Sequence, residues 1–352
     1  MKHDPDAYRK MINEYDLLTS RAGSFRPDLI VWPESSFPVP LRSLDPDVED
    51  SDLIGHEAIH GLIHNSDAAA YEVSTWRDGR AELALETRAE ERGTALMVGL
   101  ISEHANRKGR SRYNSVAFFD PQDGMKGLYH KNHRVVFGEY IPLRTALPWL
   151  ARLTPWGAGF GVDPGTEMKS FLYKDVSYAP VICFEDTVPQ LVTRAVRHTD
   201  DQGRQPDVLV NATNDGWFRG SSELDQHLVM SVFRCVEHRR PMVRAVNCGI
   251  SSFIDGSGRI RDPEHFLKLS EDSSTMAPKW ETLDSMYDPD TGARYRDCSA
   301  LMCGQVPLDG RNTIYTSWGD WFAMLCSAAA VALVAVGHVR LRRDDSLSGA
   351  AA

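Results

Sequence analysis

The sequence predicts a layered α/β fold with helices on the outside. Two patterns carry the prediction. Short apolar runs such as 28–32, 178–183 and 207–212 read as buried strands. They alternate with segments of helical spacing such as 6–22 and 223–239, the arrangement that packs helices onto sheets. The 352 residues, 42% of them hydrophobic, are enough to bury one large core. The net charge of -10 argues against a nucleic-acid partner.

The elements follow in order. Residues 6–22 form an amphipathic helix, with Tyr8, Met11, Ile12, Tyr15 and Leu18 spaced by three or four. A strand over 28–32 leads into Trp32-Pro33-Glu34. Residues 39–80 are polar and read as an insertion. A helix over 80–92 and a strand over 94–100 come next. Tyr113–Phe119, the turn Asp120-Pro121-Gln122-Asp123-Gly124 and Met125–Tyr129 make a hairpin. After the strand at 178–183 come a strand at 207–212, a helix at 223–239 and strands at 241–247 and 251–254. A turn at Asp255-Gly256-Ser257-Gly258 closes this block. Residues 266–312, rich in Asp, Ser, Thr and Pro, read as a surface insertion.

Candidate chemistry begins at Cys183, at the end of the run Ala179-Pro180-Val181-Ile182-Cys183-Phe184-Glu185-Asp186. A free thiol titrates near 8.5, so it needs a base or a cation to become a good nucleophile. Glu34, at the end of another strand, can take the proton. Lys131 can favour the thiolate and hold the oxyanion that forms on attack at a carbonyl. Each residue also has a bland explanation: an inert core thiol, a strand end, a solvated lysine. The three contexts together favour chemistry.

Many ordered segments then reveal a resemblance. Trp32-Pro33-Glu34, Tyr129-x-Lys131, Phe137-Gly138-Glu139-Tyr140-Ile141-Pro142, Ile182-Cys183-Phe184-Glu185 and Thr213-Asn214-Asp215-Gly216-Trp217-Phe218 occur in this order. So do Tyr113-Asn114-Ser115, Gln226-His227, Arg240-Pro241, Arg244-Ala245-Val246-Asn247 and Gly249-Ile250-Ser251. The chain resembles the nitrilase (carbon-nitrogen hydrolase) superfamily and, within it, the apolipoprotein N-acyltransferase family. The resemblance implies a four-layer α-β-β-α sandwich with Glu34 as base, Lys131 as oxyanion stabiliser and Cys183 as acylated nucleophile. It implies supporting roles for Glu139, Glu185, Asn114 and Phe184. Phe184 stands where the family usually has Tyr, Val136 where it has Pro, and Arg134 where it has an apolar residue.

The resemblance also implies a phospholipid acyl donor, an apolipoprotein acceptor, a membrane setting and no metal or organic cofactor. An amidase using the same triad, with water resolving the acyl-enzyme, is the alternative within the superfamily. His56-Glu57-Ala58-Ile59-His60 fits the H-E-x-x-H pattern of zinc proteases and is a remote alternative.

Trp321–Val339 has no acid, Lys or Arg and is long enough to cross a bilayer. Trp318 and Trp321 suit one interface, and Arg340, Arg342 and Arg343 place the far end in the cytoplasm. The expected organisation is a catalytic domain over 1–314 and a C-terminal transmembrane helix with flanks over 315–343, with a tail over 344–352. By the resemblance, this belongs in a bacterial inner membrane with the catalytic domain on the periplasmic face. The resemblance also implies several earlier membrane helices and a first strand. Met1–Asp6 is polar and shows neither, so the expectation is a shortened form or one half of a split protein. The six cysteines lack metal-ligand spacing; Cys298 and Cys303 are candidates to pair, and Cys235 and Cys248 read as core thiols.

Overall fold

The computed structural model describes residues 5–55, 66–143, 161–200, 202–271 and 277–349. The chain divides into two compact units, Met1–Gly310 and Arg311–Ala352.

In the first unit, α1 (Pro5–Gly23) precedes β1 (Leu29–Leu44), α2 (Asp50–Gly55), α3 (Ser66–Arg77) and α4 (Arg80–Arg92). Then come β2 (Ala95–Asn106), β3 (Gly109–Asp120) and β4 (Gly124–His130). The four strands form one sheet in the order β1-β2-β3-β4, with β1 parallel to β2 and the rest antiparallel. After β5 (Phe171–Tyr173) and β6 (Val176–Ile182) the chain makes a one-turn 3-10 segment, Cys183–Thr187, and continues into α5 (Pro189–Arg197). Next are β7 (Val208–Asn214), α6 (Glu223–His238), β8 (Met242–Asn247), β9 (Ser252–Ile254) and β10 (Ile260–Arg261). These strands form a second sheet, β10-β9-β8-β7-β6-β5, whose inner three are parallel.

The two sheets face each other. Met97, Val116 and Phe118 from the first meet Ile182, Val208 and Val210 from the second in one buried cluster. On the outer face of the first sheet, Leu85 and Ala89 of α4 bury against Leu96, Val98 and Phe119, with Tyr15 of α1 beside Trp32. On the outer face of the second, Leu191 and Val192 of α5 and Leu224 and Leu228 of α6 bury against Val181 and Leu209. This is the α-β-β-α sandwich. Strands covered on both faces read as continuous apolar runs, which is why Ala95–Leu100 shows no alternation. Burying each large side chain contributes about 2 kcal/mol.

The structure extends the sequence reading at several points. β1 runs on to Leu44, well into the polar stretch read as an insertion. α5 was not anticipated; it spans nine residues behind Pro189. The 266–312 region holds a three-stranded antiparallel sheet, β12 (Pro278–Thr282), β11 (His265–Glu271) and β13 (Ala300–Cys303), in that order. Cys298 and Cys303 are free thiols rather than a pair, and Cys248 is exposed, whereas Cys235 is buried as expected. The His56–His60 segment lies outside the described residues.

In the second unit, α7 (Ile314–Trp318) is capped by Thr313, whose hydroxyl accepts from the Thr316 N–H. α8 (Trp321–Gly349) follows. Its first 18 residues, Trp321–His338, carry no charged side chain and none is buried. That length and composition suffice to cross a membrane.

Candidate active site

Three separate turns bring the site together. Glu34 sits on β1 where the register against β2 shifts between Trp32 and Phe37. Ser35 there has φ 54°, and a Cβ on Gly99 of β2 would lie 2.2 Å from the Pro33 carbonyl oxygen. The bulge therefore needs glycine opposite it, and it turns the Glu34 side chain into the site. The strand is tied to α1 by the Trp32 indole N–H, which donates to Thr19 Oγ1 at 2.9 Å, and by stacking of Trp32 on Tyr15 at 4.7 Å.

Lys131 follows β4, and its backbone N–H donates to the Asn114 carbonyl on β3 at 2.8 Å. Its ammonium is 1% exposed and donates to Glu34 Oε1 at 3.1 Å and Glu139 Oε1 at 2.9 Å. The Asn114 amide donates to the same two oxygens, at 2.6 and 2.9 Å. Burial works against the ammonium, but Glu34, Cys183 and Glu139 outweigh it and hold Lys131 well above its ordinary value. An ammonium has three N–H donors, so two carboxylates leave one for a reacting oxygen. Both bonds to Glu34 fall on Oε1, which leaves Oε2 for proton transfer.

Cys183 opens the 3-10 turn after β6 with φ 51°, in the left-handed region that a side chain enters at a cost of about 1–3 kcal/mol. Its thiol lies 4.0 Å from the Asn214 carbonyl oxygen, to which it donates. Burial pushes the thiol up to about 12, with Glu34 adding to the rise and Lys131 opposing it. The resting thiol is therefore neutral at pH 7, and it can act as a nucleophile only if its proton is removed.

Glu185, fully buried, binds the nucleophile turn to the lysine loop. Its Oε1 accepts from the Asn132 and His133 N–H groups at 2.6 and 3.0 Å. Its Oε2 accepts from the Ile182 N–H at 2.8 Å and the Tyr129 hydroxyl at 2.9 Å. Burial raises this carboxyl to about 6, with the His133 and Ile182 N–H groups, the Lys131 charge and the Tyr129 hydroxyl pulling the other way. Glu139 in turn closes its own loop, accepting the Val135 N–H on Oε2 at 2.8 Å. The structure thus brings Glu34, Lys131, Asn114 and Glu139 into one bonded cluster, and links Glu185 to the turn holding Cys183. Phe184 stands apart from that network; it is 41% exposed and stacks on the His133 ring at 6.1 Å.

Sequence reasoning did not anticipate Tyr129 as a partner of Glu185, nor a second buried cluster behind the nucleophile. Asp186, Asp215, His227, Ser231 and Arg244 form that cluster with Asn211. Three of these positions fell in resembling segments, Thr213–Phe218, Gln226-His227 and Arg244–Asn247, but only the topology shows that they meet.

The site's arrangement suits attack of a thiol on a carbonyl: a base carboxylate, a cation with a spare donor, and a strained, neutral cysteine. The pattern of the carbon-nitrogen hydrolase family matches residues 8–270. An apolipoprotein N-acyltransferase of Geobacter metallireducens is 28% identical over 342 residues, covering 97% of this chain and 52% of its own length. One from Rhodopirellula baltica is 30% identical over 276 residues, covering 74% of this chain and 47% of its own. An amidase structure from Nesterenkonia sp. aligns with a TM-score of 0.45 at 15% identity, over 78% of this chain and 84% of that one. The chain spans about half the length of the curated relatives it matches. The family match covers most of the chain, and with the Glu-Lys-Cys arrangement it identifies the protein as a member of the carbon-nitrogen hydrolase family.

Proposed function

We propose that this chain is an acyltransferase that moves a fatty acyl group from a phospholipid to the N-terminal amine of an apolipoprotein, through a thioester on Cys183. Glu34 accepts the thiol proton as sulfur attacks the ester carbonyl, and the third N–H of Lys131 holds the oxyanion. Collapse expels the lysophospholipid alkoxide, which takes the proton from Glu34. The α-amine of the lipid-modified cysteine then attacks the thioester, Glu34 takes the amine proton and passes it to the departing Cys183 thiolate, and the thiol is regenerated. Proton transfer moves negative charge from Glu34 to sulfur and leaves the site's net charge unchanged, so Lys131 stabilises both states.

The observation that carries the lipid reading is the apolar surface of the active-site turns themselves. Val136 and Phe137, in the loop closed by Glu139, are 47% and 59% exposed; Phe184, next to the nucleophile, is 41% exposed, and Trp217, two residues beyond Asp215, is 65% exposed. Apolar side chains left in water around a site suit a lipid better than a small amide. α8 supports the same reading as a membrane anchor. The relatives' name supplies the acceptor class. The setting proposed is the bacterial inner membrane, with the site on its outer face.

The test is transfer of a fluorescent acyl chain from phospholipid vesicles to a diacylated peptide with an N-terminal cysteine. Labelled peptide with wild type, and none with Cys183→Ala, is the expected result. Hydrolysis of a small amide with no peptide labelling would favour the amidase.

A further inference from the structure

We infer that Asp186, His227, Asp215 and Arg244 form a buried charge lock that positions the nucleophile turn, an inference that rests on the Cys183 chemistry proposed above. His227, on α6, lies with Nδ1 at 2.8 Å from Asp215 Oδ1 and Nε2 at 2.9 Å from Asp186 Oδ1. A ring between two carboxylates donates from both nitrogens, so it is the imidazolium. Arg244, on β8, donates to Asp186 Oδ2 at 3.1 Å, to Asp215 Oδ2 at 3.0 Å and to Ser231 Oγ at 3.0 Å. The Asn211 amide on β7 adds a bond to Asp186 at 2.6 Å, and the Ser231 hydroxyl adds another. All six residues are buried.

The placement of the two aspartates is what turns a structural cluster into a positioning device. Asp186 lies in the same 3-10 turn as Cys183. Asp215 directly follows Asn214, whose carbonyl accepts the Cys183 thiol. The lock therefore holds the turn carrying the sulfur and the strand end that accepts the thiol's hydrogen bond at a fixed separation. Both are bound to α6 through His227 and to β8 through Arg244. Glu34, Lys131 and Glu139 stand on the other sheet and its loops, so the sulfur meets the lysine only if its own turn is held at the right height. The φ of 51° at Cys183 is strain that surrounding bonds must maintain. Two acids, one imidazolium and one guanidinium balance to zero charge. Buried ionic clusters are a weak route to stability, but they specify geometry where it matters.

The test uses the full chain and compares wild type, His227→Leu/Asp215→Asn and Ser231→Ala. The double variant keeps the cluster neutral and similar in volume while removing the His227 bridge and reducing the Arg244 tie at position 215 from an ion pair to a hydrogen bond onto an amide oxygen. Its melting temperature should stay within a few degrees of wild type. Thioester formation from phospholipid should slow roughly 100-fold in kcat with KM within about twofold, as expected for a misplaced nucleophile. Alkylation of Cys183 by iodoacetamide, followed by mass, should slow in parallel. Ser231→Ala, which removes two hydrogen bonds, the donation to Asp186 and the acceptance from Arg244, should slow both by about threefold and provides a readout should the double variant not fold. A stable double variant or a Ser231→Ala variant that reacts at the wild-type rate overturns the lock. If wild type itself forms no thioester, the acyl-transfer reading fails, and the alkylation comparison still decides the lock.

Discussion

At the residue scale, the site separates groups that do chemistry from groups that hold them. Cys183→Ala and Glu34→Gln should each reduce acyl transfer to background, the first by removing the nucleophile and the second by removing the base; transfer assays at saturating lipid check both. Lys131→Ala should lose at least about 100-fold in kcat, because an oxyanion donor is missing. It should also destabilise the fold by about 3 kcal/mol, since the buried Glu34 and the half-buried Glu139 lose their cation; chemical denaturation measures that cost. Phe184→Tyr should keep activity within about threefold, because the side chain is half exposed and bonded to none of the catalytic groups. The three residues proposed to carry the chemistry stand out in the sequence because each ends an apolar run or stands in a distinctive local context. Asn114 and Glu139, which bond Glu34 and Lys131, came with the resemblance, but the pairing of Tyr129 with Glu185 did not. Tyr129 and Glu185 lie 56 positions apart and meet only when β4 and the 3-10 turn are brought together across the two sheets.

At the element scale, long periodic helices and the apolar runs of buried strands were legible, and short elements in loop-like composition were not. The helices at 5–23, 80–92 and 223–238 have clear apolar faces. The first of these is followed by a strand whose bulge at Glu34 no spacing announces. α5 escaped because nine residues behind a proline give barely two turns of pattern. The 265–303 sheet escaped because its strands are short and its composition is that of a loop. α6 and β8 carry the clearest pH prediction. Burial and Arg244 pull His227 down, but Asp186 and Asp215 outweigh them and raise it to about 9, from an ordinary 6.5. A raised folded value contributes stability that is fully present below pH 6.5 and is lost as pH rises through about 9. That loss should reach about 3 kcal/mol. Denaturation curves of wild type at pH 6 and pH 10 should show it, and the His227→Leu/Asp215→Asn variant should show much less change over the same range.

At the scale of the whole molecule, the chain joins an α-β-β-α sandwich to an apolar helix. The sequence spelled the second unit plainly, since α8 contains no charged side chain through His338. The sandwich needed the resemblance as well as the alternation of elements, because alternation alone is shared by several α/β architectures. If α8 is the anchor, the full chain should co-sediment with phospholipid vesicles, and a chain ending at Gly310 should lose most of that binding. The exposed Val136, Phe137, Phe184 and Trp217 should retain a weak residual affinity, removed by changing Phe137 and Trp217 to Ser. The central claim is the thioester on Cys183. Intact mass of the full chain after incubation with phospholipid vesicles tests it most directly. The account predicts a gain of one fatty acyl group, absent in Cys183→Ala and discharged onto an added peptide amine. A protein that hydrolyses a small amide through Cys183 yet never carries an acyl group from phospholipid would contradict it.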